Sequence, residues 1–220
     1  MKGLSGGIVG TMGLALLLLT VQGCGASSTA WVKDGQKVGR IWKHKMPYGA
    51  EYRYLDVSKR LMMIERKDKA NALIAGACTI KYEYGESNRL AAESCYDASG
   101  NPELCAAGYA SKRYTYSSGP ASNLTEERTL CDKQGLPACG TDGYAYAKLV
   151  FTGSDLKQVF LQDAQRKPAA ASWDGVAGTA KVEYAKLQGV GTVRCAVYFR
   201  PSGEIIERKV LSGTSYWRGL

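Results

Sequence analysis

The amino-acid sequence predicts an all-β fold, an array of short antiparallel hairpins built from degenerate repeats of about 30–37 residues and stapled by disulfides. Two observations carry this prediction. Six residues recur at a single offset of 35 positions, and turn-forming residues separate short apolar stretches at intervals of about 8–12 residues. Repeats of this length bury their apolar faces against one another, and the end units act as caps.

The clearest repeat lies between residues 95–110 and 130–145. We interpret its recurring residues as structural, because Asp can bond back to its own backbone and Gly supplies positive φ in a turn. Two degenerate copies of the repeat flank this pair, and the downstream copy ends in Gly175-Val176-Ala177. The sequence therefore predicts a repeat domain of four units over residues 50–187. The recurring positions are Asp97 and Asp132, Gly100 and Gly135, Pro102 and Pro137, Gly108 and Gly143, Tyr109 and Tyr144, and Ala110 and Ala145.

The last segment, residues 188–220, predicts a C-terminal cap. Residues 191–199 and 204–211 alternate like two strands, and Arg200-Pro201-Ser202-Gly203 forms the turn between them. The pair is also faintly similar to the strands of TonB-type carboxy-terminal domains, a likeness that implies a following helix.

The start of the chain predicts export. Met1-Lys2 is followed by an uncharged stretch from Ile8 to Val21, which is typical of a secretory signal and too short for a comfortable membrane span. The residues Val21-Gln22-Gly23-Cys24 resemble the lipobox of bacterial lipoproteins. That resemblance implies a signal peptide at 1–23, lipid on Cys24, and an outer-membrane anchor facing the periplasm or the surface. Residues 24–49 are then a lipidated N-terminus with a linker or N-terminal cap; an ordinary signal peptide is the alternative.

The repeat itself resembles a known family. Tyr114-Thr115-Tyr116, residues 123–127 and the Asp-Gly-Pro turn after them are similar to bacterial YD-type (Rhs-like) repeats. The chain departs from that pattern at Ser117, where Asp is usual, and by inserting residues 120–122. The resemblance implies a hairpin array used as a scaffold or binding surface, and it implies no catalytic residues.

Six cysteines besides Cys24 predict disulfides in an oxidising compartment. Cys95 and Cys105 are centred on Gly100, and Cys131 and Cys139 are centred on the equivalent Gly135. If the members of each pair face one another across their turn, the bonds Cys95–Cys105 and Cys131–Cys139 follow, on opposite faces of the hairpins. Cys78 and Cys195 remain as the third pair.

The sequence predicts no catalytic site, metal site or cofactor. His44 is the only histidine and the sequence has no C-x-x-C motif, so we expect no metal and no cofactor. Asp97, Asp132 and Asp163 occupy turn positions, where a structural role explains them. A hydrolase of cell-wall or surface polymer would need two carboxylates converging in a cleft, and it stays the least favoured alternative.

The basic charge is consistent with an acidic partner in the envelope or with a solvated basic surface that has no partner. The chain has 29 Lys and Arg against 20 Asp and Glu, a formal net charge of +9, which in an exported protein suits lipid headgroups, cell-wall polymer or an acidic protein rather than nucleic acid. We expect a non-catalytic envelope lipoprotein that presents its repeat surface to a protein or cell-wall partner. An accessory subunit or chaperone-like factor of an envelope assembly machine is the alternative. The 14 tyrosines either pack within the sheet or form a stacking face.

Overall fold

The computed structural model describes residues 27–33, 36–85, 88–119, 123–186 and 194–211. The predicted signal peptide and the lipidation site Cys24 lie outside these ranges. Within them the chain is all-β, as predicted, with fifteen strands and no helix. Thirteen strands form one antiparallel sheet, in which the order of strands follows the order of the chain.

The sheet is a succession of hairpins, because each strand pairs with the strand before it and the strand after it. β11 and β12 interrupt this succession as a separate two-stranded hairpin, so that β10 pairs directly with β13. The strands are β1 (Ser27–Lys33), β2 (Gln36–Met46), β3 (Gly49–Asp56), β4 (Leu61–Asp68), β5 (Thr79–Tyr84), β6 (Leu90–Tyr96), β7 (Ser111–Ser118), β8 (Asn123–Cys131), β9 (Tyr146–Thr152), β10 (Asp155–Gln162), β11 (Ala171–Trp173), β12 (Val176–Thr179), β13 (Lys181–Lys186), β14 (Arg194–Phe199) and β15 (Ile205–Leu211).

One turn geometry recurs along the chain. The N–H of its first residue donates to the carbonyl of the fifth residue, and the N–H of the fourth donates back to the carbonyl of the first. The fourth residue has positive φ, which makes this a type I turn followed by a left-handed bulge residue. Turns of this kind begin at Asp56, Asp68, Gly85, Asp97, Cys105, Asp132, Gly140, Asp163 and Arg200.

Aspartate is favoured at the first position of the turn because its carboxylate accepts two backbone N–H groups of the same turn. Oδ1 of Asp97 accepts the N–H groups of the third and fifth turn residues, Ser99 at 2.9 Å and Asn101 at 2.8 Å. Oδ1 of Asp132 accepts the corresponding N–H groups, both at 2.9 Å. The bond from Asn101 is the main cause that holds the pKa of the Asp97 carboxyl below its ordinary value. The predicted turn aspartates therefore close their turns.

The second turn of each clear unit has its glycine at the left-handed position. Gly108 and Gly143 have φ of 78° and 86°, and their N–H groups donate to the first residue of the turn at 2.8 and 3.0 Å. The surroundings of the two glycines differ, although the repeat predicts equivalent positions. A methyl group on Gly108 would lie 2.9 Å from the nitrogen of Thr141, whereas one on Gly143 would lie 3.5 Å from Cα of Ala171. Gly143 is therefore required by its backbone conformation alone, and Gly108 also by close packing.

Each unit ends by returning to the sheet. The N–H of Ala110 donates to the carbonyl of Cys131, and the N–H of Ala145 donates to that of Gln162, both at 2.8 Å. In the last unit Ala180 makes this bond, to Phe199. The predicted match of Ala177 to Ala145 is wrong, since the β11–β12 hairpin displaces the returning residue by three positions. The four units span residues 66–78, 95–110, 130–145 and 161–180.

The core lies on one face of the sheet, which we call the covered face because the returning segments pack on it. Tyr109, Tyr144 and Val176 come from these segments and join one buried cluster with sheet residues. The sheet contributes Leu130, Ala147, Leu149, Val159, Leu161, Val182, Ala196 and Tyr198. Burying such aliphatic and aromatic surface is the main stabilising contribution to a fold of this kind. The opposite face we call the open face.

Both ends of the described chain continue the same sheet. Within the segment predicted as a linker or N-terminal cap, β1 and β2 pair with each other, and β2 pairs with β3. The predicted C-terminal hairpin is present as β14 and β15, and β14 pairs with β13. Residues 191–193 of its predicted first strand lie outside the described ranges.

Candidate binding face

Three exposed cations occupy one repeat position on the open face. Lys81, Arg113 and Lys148 each lie three residues after the returning residue of their unit. The registers Met63↔Lys81, Arg113↔Thr129 and Glu127↔Lys148 put them on the same side of β5, β7 and β9. We call these three residues the cation row.

The cation row is evenly spaced because the repeat is even. Its members lie on alternate strands, about 9.5 Å apart across the sheet, and each is displaced by two residues, or about 7 Å, along the strand from the previous one, so that the row runs diagonally. Among the described residues, none of the three forms a salt bridge with a carboxylate. Their charges face solvent outside any ion pair, although Glu127, which is bonded to Arg166, lies opposite Lys148, and their fields add over the open face. In the last unit the equivalent residue is Glu183, so the row ends at β9.

Aromatic rings on the open face flank the row, and cations lie over them. Lys81 Nζ is 4.6 Å from the ring centre of Tyr96, and the Arg166 guanidinium lies 3.6 Å from that of Tyr146. Such pairs hold a long side chain over a ring while its charge stays accessible. Further pairs are Lys43 and Lys67 on Tyr52, at 5.4 and 5.1 Å, and Lys181 on Phe160 and Phe199, at 5.8 and 5.2 Å.

Three other cations at the open face form ion pairs, in contrast to the row. Arg166 forms an ion pair with Glu127 at 2.5 Å, and Lys181 forms one with Glu183 at 2.6 Å. Lys67 pairs with Glu65 on β4.

The tyrosine pairs of the middle units pack within the covered face. Burial raises the pKa of Tyr82 to about 12 and raises that of Tyr114 further. The hydroxyl groups of Tyr84 and Tyr116 donate to backbone carbonyls at 3.0 Å. For these residues the packing interpretation is the better one, whereas Tyr52, Tyr96 and Tyr146 lie on the open face.

The cysteine register differs from the prediction. The bridge Tyr96↔Pro102 centres the first hairpin on Ser99 rather than Gly100. Cys95 therefore faces Glu103, and Cys105 lies two residues further along. The second hairpin is displaced in the same way by the bridge Cys131↔Pro137. In each hairpin the predicted centre is one residue too far along the chain, so the second cysteine lies two residues beyond the position that faces the first. The turn that pairs Asp97 with Asn101 encloses three residues, whereas the prediction needed five.

The long-range pair fails for a different reason. Cys78 directly precedes β5 and Cys195 lies in β14, seven strand-to-strand steps away, a path of about 34 Å. A disulfide needs α-carbons within about 7 Å, so Cys78–Cys195 is incompatible with this sheet order. Cys78 instead occupies the small buried position that Ala110 and Ala145 fill in other units.

All six cysteines are free thiols in the structure. Cys95 and Cys105 nonetheless lie in hydrogen-bonding contact, so their pairing stays a prediction. The side chain of Cys131 lies on the open side of β8 but is fully buried by its neighbours, whereas Cys139 is exposed. The bond between these two cysteines also stays a prediction.

The remaining predicted residues are not brought together. His44 lies in β2 opposite Glu51, and Asp97, Asp132 and Asp163 close three separate turns. In the described part of the chain, no group of three or more His, Cys, Asp or Glu side chains could hold a metal ion. Sequence reasoning missed the cation row, although Arg113 and Lys148 share the offset of 35 that revealed the repeat.

No protein-family model matches the chain, and no curated protein matches it. Over the ranges that the structure describes, we find no helix of the length and apolar character needed to cross a membrane.

Proposed function

We propose that the protein is a non-catalytic lipoprotein of the bacterial envelope whose open face binds an acidic partner, in the first place a negatively charged polymer of the cell wall. The cation row is the observation that carries this proposal. Exposed cations without a carboxylate partner attract anions over a distance set by the Debye length, about 8 Å at physiological salt. Three of them at equal spacing favour a partner whose charges also repeat.

The surroundings of the row support a polymer rather than a single small ion. The ring of Tyr96 lies beside the row, near β7 and β8 with their small hydroxyl side chains Ser111 and Thr129, whereas Tyr146 is buried beneath the Arg166 guanidinium. Aromatic rings with a polar edge are suited to stacking against sugar rings. Several weak contacts along one chain add up because each contact raises the effective concentration at the next.

The anchor is supported by the sequence of residues 21–24 alone. Lipid on Cys24 would hold the sheet close to a membrane, since two or three acyl chains anchor firmly whereas one does not. Replacing Cys24 by Ala should abolish labelling of the protein by radioactive palmitate. Unchanged labelling would remove the anchor from the proposal and leave the binding face to be judged separately.

Binding is tested with the purified full-length protein and isolated cell-wall sacculi in a co-sedimentation assay. The triple variant Lys81→Gln, Arg113→Gln, Lys148→Gln should bind at least about tenfold more weakly than the parent protein at low salt, and less salt-sensitively.

A matched control removes three charges elsewhere. Lys59, Lys69 and Lys167 are exposed in hairpin turns, and their combined replacement by Gln gives the same net charge as the test variant. This control should bind within about twofold of the parent, because the effect depends on position rather than on total charge. Equal losses in both triple variants, or no loss in either, would contradict the binding face.

An accessory role in an envelope assembly machine is the second candidate, and the edge of the sheet favours it. β1 pairs with β2 alone among the described strands, and most of its side chains are exposed. An edge strand of this kind can accept a strand of a partner protein. Crosslinking from β1, rather than from the cation row, to an envelope protein would favour this candidate.

A further inference from the structure

The side chains of Cys95 and Cys105 meet on the covered face. Cys95 lies in β6 and is 1% exposed, whereas Cys105 begins the second turn of the same unit and is partly exposed. The two side chains are close enough for each to shift the pKa of the other. The next unit has Leu130 and Gly140 at these positions, and a methyl group on Gly140 would lie 3.0 Å from Cδ1 of Leu130. The repeated backbone thus brings these two positions into contact.

Cys105 takes the place that aspartate holds in other turns. Its N–H donates to the carbonyl of Tyr109 at 2.9 Å, and the N–H of Gly108 donates back at 2.8 Å, as in the turn that begins at Asp97. There the carboxylate accepts the N–H groups of the third and fifth residues. Here the N–H groups of Ala107 and Tyr109 lie near the sulfur and contribute to a lowered pKa of Cys105. Donors arranged for an anion favour the thiolate form of a cysteine.

The two thiols are therefore unequal. The bond from Cys95, followed by the backbone bonds of the turn, lowers the pKa of Cys105, although burial opposes this. The same bond and burial raise the pKa of Cys95, which nearby Glu93 raises further and Arg66 lowers. Because the two groups titrate together, the negative charge of the pair resides mainly on Cys105.

The fold does not require these cysteines. The unit at 130–145 makes the same two turns with leucine and glycine at the corresponding positions. A partly exposed sulfur in a turn built for an anion, touching a buried second sulfur, is the arrangement of an attacking and a resolving cysteine.

We propose that Cys95 and Cys105 form a thiol–disulfide exchange site, independent of what the open face binds, that takes a small-molecule or protein disulfide as its oxidant. The Cys105 thiolate attacks one sulfur of that disulfide, which forms a mixed disulfide and releases one thiolate. Cys95 then gives its proton to solvent, and its sulfur attacks the Cys105 sulfur. The Cys95–Cys105 bond forms, the second thiolate leaves, and two electrons have passed from the protein to the oxidant.

The test uses reduced full-length protein and glutathione disulfide at pH 7, with peptide mass mapping after acid quenching. In Cys95→Ala the glutathione adduct should accumulate on Cys105 at least about tenfold faster than on Cys139, which is the more exposed thiol but has no such turn. In the parent the adduct should pass on to the Cys95–Cys105 disulfide. In Cys105→Ala, buried Cys95 should stay unmodified over the same period.

Two further variants distinguish a loss of reactivity from a loss of folding. Cys95→Ser repeats the trapping experiment with a side chain of closely similar shape. Cys95→Leu with Cys105→Gly copies the next unit, and should unfold like the parent while lacking the fast reaction. The proposal is overturned if Cys139 reacts as fast as Cys105 in the folded trapping variants, or if the parent keeps a lasting adduct on Cys105.

Discussion

The units at residues 95–110 and 130–145 follow the same path, with two turns of one geometry and the same returning hydrogen bond to the next strand. They differ in what fills that path. The first unit places Cys95 against Cys105, and the second places Leu130 against Gly140. The turn residues therefore determine the path of the backbone in both units. The interior pair varies without changing that path, and it gives the first unit two thiols and the second unit an apolar contact.

The largest effect on the free energy of unfolding is expected at Leu130, the apolar side chain that fills the interior of the second unit. Leu130 is 3% exposed and belongs to the main core cluster, so Leu130→Ala should lower the free energy of unfolding by about 3 kcal/mol through lost burial and a cavity. Leu136 in the same unit is 62% exposed, and Leu136→Ala should change it by less than about 0.5 kcal/mol. Chemical denaturation measures both; similar losses would mean that the return segment does not cover the sheet.

A smaller effect tests the turn that the units share. Gly100 has φ of 84°, and a methyl group there would meet no atom within 4 Å. Gly100→Ala should therefore cost only the left-handed conformation, about 1 kcal/mol. Ala98 lies in the same turn, and Ala98→Ser is the control that should leave the denaturation midpoint unchanged. A midpoint for Gly100→Ala equal to that of the parent would contradict the turn geometry.

The Asp97 carboxyl adds a pH dependence to this turn. Its hydrogen bonds lower the pKa of the folded state, so the unfolded chain holds the proton more tightly. The stabilisation by Asp97 is then complete above the unfolded-state pKa, about 3.9, and is lost as the pH falls through the lower folded-state value. The difference in unfolding midpoint between the parent and Asp97→Asn should shrink between about pH 4 and pH 2. A difference that is constant over this range would rule out the carboxylate as the acceptor.

Sequence reasoning reached the fold class and the repeat because Asp, Gly and Pro act locally, through their own backbone. The hairpin between residues 194–199 and 205–211 was predictable from its alternating pattern for the same reason. The centre of each cysteine hairpin was predicted one residue too far along the chain, since the positions of two cysteines do not show how many residues their turn encloses. The pairing of Cys78 with Cys195 was wrongly predicted, because it depends on the order of distant strands, which the sequence does not show.

The candidate binding face was accessible to sequence reasoning only in part. Arg113 and Lys148 share the repeat offset, but the sequence does not state which face of the sheet the returning segments cover. That choice fixes whether Lys81, Arg113 and Lys148 are buried or exposed. It follows from the hand of each turn in three dimensions, which a single sequence does not show.

The equivalence of the two units is the central claim, and exchanging their interior pair tests it most directly. Cys95→Leu with Cys105→Gly should unfold within about 1 kcal/mol of the parent, because volume lost at one position is restored at the other. Cys95→Leu alone should be at least about 1 kcal/mol less stable than this double variant, since the new leucine meets the Cys105 side chain. Denaturation of the parent, both single variants and the double variant gives the coupling energy. A double variant less stable than either single one would contradict the equivalence of the units.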